Sequence, residues 1–415
     1  MSPVRIDRAR SAERISRDVE TLAGPRYTSS PTAICRYAYT QVYENTLDYL
    51  TAELERIGFA VERDPVGTLI ARNRPHGAPA FGIGSHCDSN RNGGKWDGTL
   101  GVVTALEVCR LADENRLGLA LQFVSFLEEE GSGFGVGLLG SRLVAGKLGE
   151  PDLHAIRAID DGRSFWEHAE AAGYSPGQWR ECPAVLDGLT GWIELHIEQG
   201  RVLQDTSHRL GIVGAIAGIA WQDFVVDGRG DHAGATPMDL RVDPTPAVAE
   251  CILELERLAH EADDATVATT GEIDVEPGLI NAIAERVRFS IDVRSASDES
   301  LRGVGQEIAA FAEAAADRRG LSLRRVERQL VPATPLDQQV IAALETAAEA
   351  TGEAAIRMIS GAGHDTMCIA GVVPSAMLFV PCKDGISHHP AEDADPGDAA
   401  LGAEVMLNAI RLLEA

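Results

Sequence analysis

No stretch of this chain approaches the ~20 consecutive apolar residues that a membrane-spanning helix needs. Its start is charged (Arg5, Asp7, Arg8, Arg10) and has no apolar core of the secretory-signal type. The expectation is a soluble, cytoplasmic protein. Cysteine is sparse and poorly spaced for cross-linking: seven residues, at 35, 87, 109, 182, 251, 368 and 382, with no C-x-x-C pair. An odd, scattered set argues for reduced thiols over a disulfide framework. Positive charge is also short. Lys and Arg total 37 against 63 Asp and Glu, a net charge of −26, which argues against nucleic-acid or anionic-membrane partners. No internal repeat or low-complexity tract is evident.

The 415 residues are too many for one compact core, so two domains are expected. Helical spacing covers 7–22 and 40–57, where Val42, Leu47, Leu50 and Leu54 fall at three-to-five-residue intervals and Gly58 closes the element. Strands are expected at 59–63, 68–72, 81–85 and 119–127, with a buried helix at 99–112 between the last two. This alternation predicts an α/β layer with a mostly parallel core, whose sites gather at the carboxyl ends of strands. From about Gly211 the texture changes. Strands at 220–227, 266–275, 286–294 and 321–329, with helices at 243–262 and 298–319, make a βαββαβ order and a plausible insertion. The alternation then resumes with helix 336–351, strand 374–380 and helix 398–413.

Chemistry-bearing residues cluster where strands should end. His86 and Asp88, two apart on a strand, should share a face, so the aspartate could accept the far ring N–H of His86. Cys87 between them should point away into the core. Asp97 sits in a glycine-rich turn, and its two oxygens could bind one cation each. Three consecutive carboxylates, Glu128, Glu129 and Glu130, repel one another at the end of an apolar strand, and a cation would relieve the repulsion. The residues alone do not choose among the three. His196 lies on an alternating strand with Glu194 and Glu198. Either imidazole of His388-His389 could ligate. Together these supply what a two-metal hydrolytic site needs.

Several segments then carry a resemblance. They are Gly84-Ser-His-Cys-Asp-Ser through Gly93-Gly-Lys-Trp-Asp-Gly, Glu129-Glu-Gly-Ser-Gly-Phe-Gly through Arg142, and Glu194-Leu-His-Ile-Glu-Gln-Gly. Asp231-His-Ala-Gly-Ala-Thr-Pro-Met, Asn281-Ala-Ile through Asp292-Val-Arg294, Ser360-Gly-Ala-Gly-His-Asp365 and Gly385-Ile-Ser-His-His-Pro-Ala-Glu392 follow in order. The chain resembles the metal-dependent amidohydrolases of the M20 peptidase superfamily, in the group of N-carbamoyl-L-amino-acid hydrolases, allantoate amidohydrolases and β-ureidopropionases. The resemblance implies a mixed-sheet, di-metal aminopeptidase-like catalytic domain split over 1–211 and 330–415. It also implies an inserted ferredoxin-like dimerisation or lid domain at 212–329.

For the site, it implies one divalent ion on His86, Asp97 and His196 and another on Asp97, Glu130 and His388, with Asp97 bridging. Zinc is the expected metal, although manganese, cobalt or nickel suit the donors. Glu129 takes the place of the general base. His232 corresponds to a histidine that reaches the partner subunit's site and holds the developing oxyanion. Gln199, Asn281 and Arg294 match substrate contacts, the last two on an α-carboxylate. The Gly361-Ala362-Gly363 loop suits close approach of backbone to ligand. His364 and Asp365 are expected to be structural, beneath the site. The activity implied is hydrolysis of the ureido C–N bond of an N-carbamoyl-L-amino acid by a homodimer. Departures from the pattern fall at Gly133, Ile219, Asp231, Ala235 and Lys383. They touch no metal ligand but bear on the substrate side chain.

Overall fold

The computed structural model describes residues 3–263 and 265–414, and the chain divides into two compact units. The first comprises the chain up to Gly214, Leu336–Met358 and the segment from Gly363 onward. The second comprises Ala215–Pro335 and Ile359–Ala362.

The first unit is built on a mixed sheet. Its strands run in the order Ala60–Arg63, Leu69–Arg72, Leu121–Phe126, Ala80–His86, Leu189–Ile197, Ser375–Val380, Leu210–Ile216. The three central pairings are parallel, and the remaining neighbours in this order pair antiparallel. The central strands Ala80–His86, Leu121–Phe126 and Ser375–Val380 are buried along their whole length, as a parallel sheet covered on both faces requires. Helix Thr99–Glu114, buried from Thr99 to Ala112, packs on Ala80–His86 and Leu189–Ile197. Helix Pro396–Leu413 packs on Thr99–Glu114 and on Ser375–Val380. Because the central strands run the same way, their carboxyl ends meet at one edge. There lie His86, the Glu128–Glu130 turn, His196 and the loop after Val380.

The second unit is an antiparallel sheet in the order Ile273–Glu276, Arg286–Ser295, Gly218–Asp227, Ser322–Val331, with Val267–Thr269 also paired to Arg286–Ser295. Helices Thr245–Ala262 and Asp298–Arg318 pack on each other and share its apolar core. Leu255, Ile308, Phe224 and Phe289 belong to that core, the two rings stacked at 4.9 Å. The opposite face carries ion pairs such as Arg288–Asp223 and Arg286–Asp227.

Most expected elements are present within a residue or two. The strand expected over 266–275 is instead two, Val267–Thr269 and Ile273–Glu276, broken around Gly271, a residue that weakens strand interiors. Strands Leu210–Ile216 and Ala355–Ser360 and the short ladder Asp231–His232 with Ala282–Ile283 were not expected. All seven cysteines are free thiols, and Cys87 is fully buried. Among the described residues no helix is long and apolar enough to cross a membrane.

Candidate active site

His86 is the last residue of its strand and is buried. Because the strand stops there, the two-residue alternation does not carry through to Asp88. The Asp88 backbone carbonyl lies nearer to His86 Nδ1 (3.2 Å) than its carboxylate does (3.5 Å). The Asp88 carboxylate accepts the N–H groups of Glu129 (3.1 Å) and Glu130 (3.0 Å). It therefore orients the acidic turn as well as the imidazole, a second duty the sequence pattern did not disclose. Either contact holds Nδ1 and leaves Nε2 facing the cleft.

The two oxygens of Asp97 face different ways. Oδ1 lies 3.1 Å from His196 Nε2 and 3.6 Å from His86 Nε2. Oδ2 lies 3.4 Å from His388 Nε2. Gly98 makes this possible: it adopts a φ of +60°, and a Cβ there would sit 2.3 Å from the His86 ring. His196 sits near the end of Leu189–Ile197, with Nδ1 2.9 Å from the Ile197 carbonyl. That contact places the ring proton on Nδ1 and the lone pair on Nε2.

The three glutamates separate. Glu128 turns away and accepts backbone N–H groups of Gly133 (2.6 Å), Phe134 (3.1 Å) and Ala38 (3.3 Å). Burial, reinforced by Asp88, pushes its carboxyl up to about 8. Glu130 Oε2 lies 3.6 Å from His388 Nε2, and Glu129 Oε2 lies 3.8 Å from His86 Nε2. His388 has a φ of +56° and a side chain 53% exposed. His389 is turned into its own loop, where Nδ1 accepts the Ala391 N–H at 3.1 Å, so only one of the two imidazoles joins the cluster.

Two groups thus form, His86–Asp97–His196 and Asp97–Glu130–His388, each with candidate ligand atoms within 4.8 Å of one another. Burial pushes the Glu129 and Glu130 carboxyls well above the usual range; Asp97 adds to this for Glu130, and His86 opposes it for Glu129. Burial would also raise Asp97, but His196 and His86 outweigh it and hold that carboxyl well below the usual range. Three carboxylates crowded this closely, Asp97 buried and Glu129 and Glu130 partly so, carry an electrostatic cost that cations relieve. The donors, imidazole with carboxylate, fit borderline divalent ions, so the residues present suit a pair of them.

Gln199, expected at the substrate, has its amide Nε2 2.8 Å from Asp97 Oδ2 and 3.4 Å from His388 Nε2. Its Oε1 is buried without a hydrogen-bond partner. His364 lies against the His196 ring at 4.6 Å, and Asp365 is buried beside it. Sequence reading missed Arg36. This buried guanidinium donates to the Cys87 carbonyl (2.5 Å) and to Thr99 Oγ1 (2.8 Å), pinning both flanks of the Asp97 segment. No local pattern signals such a contact.

The remaining expected residues lie in the second unit. His232 pairs with Ala282 across the short ladder, and the Ala233 N–H bonds the Asn281 carbonyl at 3.0 Å, so His232 and Asn281 are brought together. His232 Nδ1 accepts the N–H groups of Gly234 (3.1 Å) and Ala235 (3.2 Å). The ring proton is therefore on Nε2. Arg294 donates to Asp292 through Nη2 at 2.8 Å and to the Gly361 carbonyl through Nη1 at 2.7 Å. Arg294, Gly361 and Ala362 thus share one neighbourhood.

An α/β sheet that gathers carboxylates and imidazoles at the ends of its parallel strands defines a class, the hydrolases with an acidic, imidazole-lined centre. The pattern of peptidase family M20/M25/M40 matches residues 83–412, and the chain belongs to that family. It is 36% identical over 407 residues to the N-carbamoyl-L-amino-acid amidohydrolase of Paenarthrobacter aurescens, covering 97% of this chain and 98% of that one. It is 32% identical to the allantoate amidohydrolase of Bacillus subtilis, covering 91% and 92%. The crystal structure of an amidase of the hydantoinase/carbamoylase family from Burkholderia multivorans superimposes with a TM-score of 0.89 at 30% identity, covering 97% of each chain.

Proposed function

We propose that the chain hydrolyses the ureido C–N bond of an N-carbamoyl-L-amino acid or related ureido acid, releasing amino acid, ammonia and carbon dioxide. The observation that carries this reading is the split orientation of Asp97, one oxygen toward His86 and His196 and the other toward His388. His86, Asp97 and His196 would hold one divalent ion and Asp97, Glu130 and His388 the other, zinc being the metal proposed. Divalent ions bound there would supply Lewis acidity toward the ureido carbonyl and a lowered pKa for water.

Glu129 takes a proton from the attacking water and delivers it to the leaving nitrogen. Its place beside the cluster and outside both donor groups suits that task. Gln199 offers its unpartnered Oε1 to a ureido N–H. His232, with the proton on Nε2, is a donor suited to a developing oxyanion. Arg294 and Asn281 bind the α-carboxylate, and the Gly361–Ala362 backbone borders it. We read the second unit, a βαββαβ order with its second strand split in two, as a ferredoxin-like lid and dimerisation domain of a homodimer. Its topology and its resemblance to the family's insert support this.

The protein loaded with metal and offered N-carbamoyl, N-formyl and N-acetyl amino acids, allantoate and ureidoglycolate should release ammonia and amine fastest from an N-carbamoyl acid. Allantoate as the best substrate would move the reading to the second activity among its relatives. Peptide cleavage without ureido turnover would overturn it. Arg294→Ala should raise KM for carboxylated substrates about 10–100-fold, the loss of a charge-assisted hydrogen bond of about 1.5–3 kcal/mol. An unchanged KM in steady-state assays would reassign it.

A further inference from the structure

The Ser-His-x-Pro-x-Glu stretch ends on a carboxylate to which the proposed mechanism gives no duty. Glu392 is 3% exposed. Its Oε1 accepts the backbone N–H groups of Trp96 at 2.9 Å and Asp97 at 2.8 Å. Its Oε2 lies 3.2 Å from Ser387 Oγ, and that same hydroxyl reaches Asp97 Oδ2 at 2.8 Å. The Glu392 N–H closes back on the His389 carbonyl at 3.0 Å, turning the 387–392 loop tightly behind His388. Space for this contact comes from Gly94. A Cβ there would lie 2.4 Å from Glu392 Cβ, closer than two carbons can approach.

The two donor groups depend on this brace unequally. His86 ends one interior strand and His196 lies near the end of another, so the sheet holds both. His388 is half exposed on a loop with left-handed backbone, and its relation to Asp97 is fixed by the 387–392 turn and by the Gln199 amide, which reaches both side chains.

We infer that Glu392 is a positioning residue that ties the Asp97 segment to the His388 loop, so that Asp97 Oδ2, Glu130 and His388 stay assembled as the second ion position. This rests on the two-ion reading above. Residues that orient metal ligands are typically worth about 10–100-fold in metal affinity. Elemental analysis after dialysis against a weak chelator, with zinc as the probe ion, separates the possibilities. Wild type should retain two ions per chain. Glu392→Ala should retain one, its second-ion affinity lowered about 10–100-fold. Gly94→Ala keeps the carboxylate but displaces it, and should give the same one-ion pattern. Glu392→Gln keeps an acceptor for the two N–H groups and should restore the second ion. Fewer than two ions in wild type would overturn the two-ion reading itself. Two ions in wild type with unchanged second-ion affinity in Glu392→Ala would overturn the positioning role alone. Loss of both ions together with the far-UV circular dichroism in every variant would overturn it too, as general damage to the fold.

Discussion

Glu129→Gln should lower kcat by about 10²–10⁴-fold, the usual worth of a positioned general acid–base group, while ion content stays at the wild-type level. The substitution keeps the shape of the side chain and removes only its capacity to take and return a proton. Glu129 is placed for that work: its Oε2 lies 3.8 Å from His86 Nε2, beside the cluster and outside both three-residue donor groups. Its neighbours have other employment. Glu128 is committed to three backbone N–H groups, and Glu130 faces His388. The loss equals about 3–5 kcal/mol of barrier at about 1.4 kcal/mol per tenfold. Steady-state kinetics beside elemental analysis measures it. Activity near wild type would remove Glu129 as the base, and loss of metal would reassign it as a ligand.

Asp97→Ala should have the other large effect, and on binding. One side chain serves both donor groups, so its removal should take away high affinity for both ions and reduce turnover below detection. Thermal unfolding gives an independent readout. A ligand that binds only the folded state stabilises it by about 4 kcal/mol at a thousandfold excess over Kd. Wild-type Tm should therefore rise on adding metal, whereas that of Asp97→Ala should not. A variant that still gains Tm and still holds two ions would show that Asp97 bridges nothing.

Sequence disclosed the donors better than it disclosed what steadies them. His86, Asp97 and His196 stood out because each lies in a short motif at a strand end or in a glycine-rich turn, and motif spacing is a local property; His388 stood out only together with His389. The central strands were legible for a related reason: full burial in a parallel sheet leaves an unbroken apolar run. The choice among Glu128, Glu129 and Glu130 was not local. It depends on which carboxylate meets Gly133 and Ala38, and only the family resemblance anticipated it. Arg36, Ser387 and Glu392 act through contacts between segments far apart in the chain. Arg36 reaches Cys87 and Thr99, and Glu392 reaches Trp96 and Asp97, pairings that no periodicity encodes. The broken strand at 267–276 shows the converse. β-branched residues there favour extended chain, but Gly271 interrupts it.

The most direct measurement is an anomalous difference map from a crystal of the metal-loaded protein. Two peaks about 3.5–4 Å apart are predicted, the spacing of two-metal hydrolytic centres, with Asp97 between them. One should be bounded by His86 and His196 and the other by Glu130 and His388. A single peak, or a pair that Asp97 does not bridge, would contradict the account.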